Sequence, residues 1–113
     1  MTSPFEQLAN LDKLIHEPAR LAILTALSAC ESADFTALRR LTGLSDGNLS
    51  VQLSKLEEAG LIKTKKQFVG KKPNTHVQIS AKGLEAVQRH WERLDAIRKN
   101  AEAWENDTPT PET

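Results

Sequence analysis

The sequence predicts a mainly α chain with one small β-hairpin and a long closing helix, and three observations carry the prediction. Apolar side chains recur three and four residues apart along most of the chain, interrupted at Gly43 and again at Gly60. Between residues 61 and 79 the period drops to two, around the turn-forming run Gly70-Lys71-Lys72-Pro73-Asn74. After Ser80 the helical spacing returns and holds to about residue 105.

Each element has its own signal. Residues 5–16 read as an amphipathic helix, with Phe5, Leu8, Leu11, Leu14 and Ile15 on or near one stripe. Pro18 suits the first turn of a second helix, where its missing N–H costs nothing. Leu21, Ile23, Leu24 and Leu27 form the buried side of that helix, which fades over residues 28–32. Asp34 and Phe35 leave room for no more than a β-bridge. Thr36 is the expected N-cap of a two-turn helix over 37–42, with Leu38 and Leu41 facing inward. Gly43 stops it, Leu44 tucks into the core, and Ser45 caps a helix running to about residue 59. Leu49, Leu53 and Leu56, at i, i+4 and i+7, give that helix its inward face. Strands are expected over 61–69 and 75–79. The helix capped by Ser80 would run from 81 to about 105 and span roughly 36 Å, more than one small core covers. Residues 1–105 are expected to form one domain, and residues 106–113, with Pro109 and Pro111, a disordered polar tail.

The formal net charge of zero hides a segregation. Residues 1–35 carry a net −3, residues 36–82 a net +6 and residues 83–113 a net −3. A basic block between acidic arms turns one face toward a polyanion. No apolar run approaches the roughly 18 residues of a membrane span, and the start lacks the build of a secretion signal. Cys30 is the only cysteine, so an intrachain disulfide is excluded and a cytoplasmic location is expected, with the thiol in the core.

Two short helices joined by Thr42-Gly43-Leu44-Ser45 fit a helix-turn-helix, whose second helix enters the major groove of DNA. With the three leucines inward, a step of about 100° per residue turns Gly47, Asn48, Val51, Ser54 and Lys55 outward, with Ser50 and Gln52 on the flanks. The side chains from Gly47 through Lys55 include no carboxylate. Asn48 and Gln52 suit paired hydrogen bonds to adenine, Ser50 and Ser54 suit bases or phosphates, and Val51 suits a thymine methyl. Ser45 opens this surface, and Gly47 permits close approach to the groove. Lys63, Lys65 and Lys66 precede the hairpin turn and Lys71 and Lys72 sit in it, placing cations for phosphate contact; Arg39 and Arg40 add two more. The same lysines would also guard a strand edge against aggregation.

The order helix, helix-turn-helix, wing and long helix resembles winged-helix transcriptional regulators of the MarR and ArsR kind, in particular their compact members. The matching stretches are residues 14–24, 35–45 and 79–83, and above all Asn48-Leu49-Ser50-Val51-Gln52-Leu53-Ser54-Lys55-Leu56-Glu57-Glu58-Ala59-Gly60-Leu61-Ile62. Together they span about residues 11–95. Glu17 stands where the pattern usually has a serine-like cap. The resemblance implies a homodimer acting on transcription at a near-palindromic operator. Dimerisation also follows from the chain ends. Leu84, Val87, Trp91 and Leu94 make a stripe that Ile97, Ala101 and Trp104 continue, too long for one core. Phe5, Leu8, Leu11, Ile15, Trp91, Leu94, Ile97, Ala101 and Trp104 are therefore the expected interface of an intersubunit bundle.

No catalytic set emerges, so no enzyme is expected. His16, His76 and His90 are far apart in sequence, and one cysteine without CxxC or HExxH spacing gives no metal site and no cofactor. The resemblance raises a small-molecule effector, but no residue identifies one. Two readings of the basic face stay open: a DNA-binding regulator, or a winged-helix module for contact with an acidic protein partner.

Overall fold

The computed structural model describes residues 2–104. Its elements run α1 (Pro4–Ala9), α2 (Pro18–Cys30), β1 (Ser32–Asp34), α3 (Phe35–Thr42), α4 (Asp46–Glu58), β2 (Ile62–Val69), β3 (Lys72–Ile79) and α5 (Ala81–Trp104). The three strands form one antiparallel sheet in the order β1-β3-β2. The expected mainly α fold with a β-hairpin wing and a long last helix is therefore present. The tail expected over 106–113 lies outside the described residues.

α2 is the hub, packing against α3, α4, α5 and the sheet. Its Ile23, Leu24 and Leu27 are fully buried with Leu38 of α3, Leu49 and Leu56 of α4, Val77 of β3 and Val87 of α5. Glu17 does the work of the missing serine, its carboxylate accepting the Ala19 and Arg20 N–H groups at 3.2 and 2.8 Å. Burial works to raise the Glu17 carboxyl, but these two bonds and the charges of Arg20 and Lys55 hold it net below its ordinary value.

Several boundaries differ from expectation. The first helix is closed at Asn10, whose side-chain amide donates to the Glu6 carbonyl at 2.8 Å, and Asp12 then accepts the Leu14 N–H at 2.9 Å. These short polar side chains compete with the helix ladder, so residues 11–17 are turns rather than a continuation to His16. Three residues, not a bridge, pair β1 with β3. Asp34, not Thr36, caps α3, accepting the Ala37 N–H at 2.7 Å. Leu41 is 63% exposed, because a two-turn helix presents only Leu38 squarely to α2. The hairpin turn is Gly70-Lys71 alone; Lys72, Pro73 and Asn74 already pair with Val69, Phe68 and Gln67. Cys30 is exposed at the end of α2, not in the core.

The start of α5 is stitched to the end of α4. Ser80 donates its hydroxyl to the Gly60 carbonyl at 2.7 Å and its N–H to the Leu61 carbonyl at 3.0 Å, while its Oγ accepts the Gly83 N–H at 3.0 Å. Gly83 lies so close that a Cβ there would overlap the Leu61 carbonyl. Gly83→Ala should therefore destabilise the chain by about 1–3 kcal/mol, since the backbone must shift to admit a methyl. A thermal melt equal to that of the parent chain would contradict this packing.

Candidate nucleic-acid interface

The turn between α3 and α4 is built from local bonds. Gly43 takes the left-handed conformation, φ 71 and ψ 10, and its N–H reaches back to the Arg39 carbonyl at 2.9 Å. Leu44 packs on the core, and Ser45 caps α4 by accepting the Asn48 N–H at 3.2 Å. Burial of Leu49, Leu53 and Leu56 then fixes the rotation of α4. Gly47, Asn48, Ser50, Val51, Ser54 and Lys55 are all exposed, and Val51 is 52% exposed. The expected outward face is present but for one residue.

That residue is Gln52, which is buried. Its Oε1 accepts from the Arg20 guanidinium at 2.7 Å and its Nε2 donates to Asn48 Oδ1 at 2.9 Å. Both ends of the amide are taken up by the protein, so Gln52 supports the face rather than belonging to it. Arg20, absent from the sequence-based candidates, is the residue that draws it in.

The candidate cations stand on the elements before and after this helix. Arg39 and Arg40 on α3 are exposed, as are Lys63, Lys65, Lys66, Lys71 and Lys72 on the hairpin. Arg39 forms an ion pair with Asp46 at 3.2 Å between exposed side chains. The pair offsets the one carboxylate in the first turn of α4 and commits part of Arg39. The register puts Lys63, Lys65 and Lys72 on one face of the hairpin and Lys66 on the other, with Lys71 in the turn. Phe68 and Val69 at the tip are 74% and 63% exposed, an apolar point that alternation in the sequence did not single out.

Two carboxylates tie this wing to the helices. Glu57 near the end of α4 accepts the Thr64 N–H at 3.0 Å and also its hydroxyl. Asp34 caps α3 with one oxygen and accepts the Asn74 side-chain amide with the other, at 3.4 Å. The bond from Ala37, then that from Asn74, holds the Asp34 carboxyl below its ordinary value, with further help from the Arg40 charge. The wing is thus held to both helices of the pair.

At the other end of the molecule the apolar stripe divides. Leu11, Ile15 and Ile97 are buried within the chain: α1 packs on α5, and Ile15, in the turn that follows, joins the main core. Those three residues, expected at an interface, belong to the chain's own packing. Phe5 and Trp104 meet edge to face at 6.0 Å. Phe5, Leu8, Trp91 and Trp104 keep 40–53% of their surface exposed, while Leu94 and Ala101 are half-buried. Trp91 donates its indole N–H to Thr25 at 3.0 Å and closes one side of a shallow apolar trough of about 500 Å³ along Leu21, Ala22, Ala26 and Ala29 of α2. Among the described residues no helix is long and apolar enough to cross a membrane, and no three His, Cys, Asp or Glu side chains are grouped to hold a metal ion.

This architecture matches known proteins. Residues 19–97 match the family model for the winged helix DNA-binding domain. An uncharacterized protein of Methanocaldococcus jannaschii is 33% identical over 90 residues, which cover 80% of this chain and 98% of that protein. Among solved structures, a transcriptional regulator homologue from Pyrococcus horikoshii OT3 superposes with a TM-score of 0.76 at 28% identity, over 85% of this chain and 94% of that one. A MarR-family transcriptional regulator from Silicibacter pomeroyi shares the fold, with a TM-score of 0.63 at 22% identity, over 83% of this chain and 60% of that one. The chain belongs to the winged helix DNA-binding domain family. Its fold and its comparisons are those of DNA-binding transcriptional regulators.

One cluster lies apart from the basic face. His16 Nδ1 and His90 Nε2 are 3.1 Å apart, although the sequence had suggested no association between them. A hydrogen bond at that distance needs one proton between the two nitrogens, and doubly charged rings would repel. His90 is buried, and burial first, then the charges of His16 and Arg93, pushes its pKa down; Asp12 works weakly the other way. The folded value lies below the unfolded one, so the unfolded chain binds more protons on acidification. The stability contributed by neutral His90 is therefore intact above the unfolded pKa and is lost as pH falls through the folded one. The melting temperature should fall as the pH drops below about 6.5, and His90→Gln should flatten that fall. Parallel pH profiles for the two proteins would contradict the assignment.

Proposed function

We propose that this chain is a sequence-specific transcription regulator that binds double-stranded DNA as a homodimer. The observation that carries the reading is the outward face of α4, exposed and without a carboxylate from Gly47 through Lys55, beside a hairpin bearing five lysines. In this reading Asn48, Ser50, Val51, Ser54 and Lys55 meet base edges in the major groove, and Gly47 lets the helix come close. Arg40, Lys63, Lys65, Lys66, Lys71 and Lys72 hold phosphates, with Arg39 contributing what its pairing with Asp46 leaves. The chain acts by binding, without catalysis or a cofactor, in the cytoplasm. A basic face made for an acidic protein would explain the lysines. It would not explain a helix face of an asparagine and two serines without a carboxylate.

Pairing of two chains is supported by the exposed surface of Phe5, Leu8 and Trp91 and by the trough along α2. A two-fold axis there sets two α4 helices in successive major grooves, roughly 34 Å apart, on a near-palindromic operator. The test is a titration of duplexes selected from genomic fragments, at several salt concentrations. Two chains should bind per duplex, and tighter than on random sequence. Lys71→Ala with Lys72→Ala should weaken binding to all sequences and reduce the salt slope by about two. An unchanged slope removes the wing from the contact surface, one chain per duplex removes the dimer, and equal affinity for random DNA removes specificity.

A further inference from the structure

Arg20 stands in the first turn of α2, with its side chain 11% exposed, and it spends its guanidinium entirely inside the protein. Nε donates to the Leu14 carbonyl at 2.6 Å and one terminal nitrogen to the Lys13 carbonyl at 3.2 Å. The other terminal nitrogen donates to Gln52 at 2.7 Å and lies 3.7 Å from the Glu17 carboxylate. A guanidinium has donors and no acceptor. The atom of Gln52 that faces it must therefore be the oxygen, which leaves the Gln52 nitrogen, again only a donor, pointing at Asn48. Across that 2.9 Å contact the Asn48 atom must in turn be its oxygen. Donor and acceptor alternate along the relay in one sense only, so chemistry fixes the orientation of both amides. Asn48 is left exposed, with its Nδ2 hydrogens bonded to nothing among the described residues.

We propose that Arg20 and Gln52, although neither lies on the outward face of α4, set the base preference of Asn48 by locking its amide nitrogen as the group it offers to the groove. This rests on the reading of α4 as the helix that enters the major groove. An asparagine able to turn over would match a donor or an acceptor equally well. Locked as it is, Asn48 donates to an acceptor on the base edge: a purine N7, guanine O6 or thymine O4. Its oxygen is already engaged by the Gln52 amide, so the acceptor side of the group is turned to the protein. A position offering only a donor, as cytosine N4 does, is disfavoured, because turning the amide over would set two donors face to face at Gln52. Gln52 is thus a positioning residue and Arg20 the anchor that orients it. The same guanidinium grips the carbonyls of the turn before α2, which ties the relay to the segment between α1 and α2.

The test is selection of bound duplexes from a random pool by the full chain and three variants, followed by sequencing. Asn48→Ala identifies the operator position that Asn48 reads, because the preference there disappears. In Gln52→Glu one carboxylate oxygen still accepts from Arg20, but the other repels the Asn48 oxygen and accepts its N–H, so the amide turns over. The preference at that one position should shift about ten-fold toward cytosine, which presents only a donor, with other positions unchanged. Gln52→Leu frees Asn48, and the preference there should relax without inverting; this variant decides the matter if the buried carboxylate prevents folding. Selection of the same base at that position by both Gln52 variants, with DNA binding intact, overturns the relay while leaving the DNA-binding function standing. Failure of the parent chain to select any sequence overturns the functional reading, and the relay falls with it.

Discussion

Leu49, Leu53 and Leu56 lie on one stripe of α4, and their contact with the α2 core fixes how that helix is rotated about its axis. Each buried leucine contributes about 1.5–3 kcal/mol relative to exposure. A turn of α4 by one residue would lift these side chains into water and drive Lys55 toward the core. The rotation is therefore held by several kcal/mol, and everything on the opposite side of the helix inherits its direction from it. The outward set of Asn48, Ser50, Val51, Ser54 and Lys55 is in this sense a consequence of core packing.

The wing takes its place from the same framework by polar means. Glu57 fixes Thr64 to the end of α4, Asp34 spans the start of α3 and Asn74, and Gly83 lets α5 sit directly on the Leu61 backbone. Three independent ties hold a hairpin that has little buried surface beyond Ile62 and Val77. Such a wing keeps its base fixed while its outer half, where Phe68, Val69, Lys71 and Lys72 stand, remains exposed. The opposite end of the molecule uses apolar contact instead, α1 lying on α5 and Phe5 on Trp104.

Features set by near neighbours in sequence were legible there. The leucine spacing, the cap at Ser45, the stop at Gly43, the start at Pro18 and the hairpin all rest on interactions within a few residues. Where a long-range partner decides, sequence reading failed. Gln52 looked like a flank residue because Arg20, 32 positions away, is what draws its amide inside. His16 and His90, 74 positions apart, meet only when the turn before α2 closes over α5. The stripe on α5 was read as too long for one core, but part of it is covered by the chain's own first helix. Ile97 is buried there, and Leu11 and Ile15, in the turn after that helix, are buried as well, Ile15 within the main core. The first helix itself was overextended because periodicity does not register the side chains of Asn10 and Asp12 competing for backbone groups.

That the leucine-fixed rotation of α4 aims its acid-free face at DNA is open to direct chemical probing. In a Cys30→Ser background, single cysteines introduced by Val51→Cys, Ser54→Cys and, as a reference on the polar side of α5, Gln88→Cys would be alkylated with and without saturating duplex. The first two should be shielded by the duplex and the third should react at its original rate. Undiminished alkylation at position 51 in the saturated complex would contradict the account.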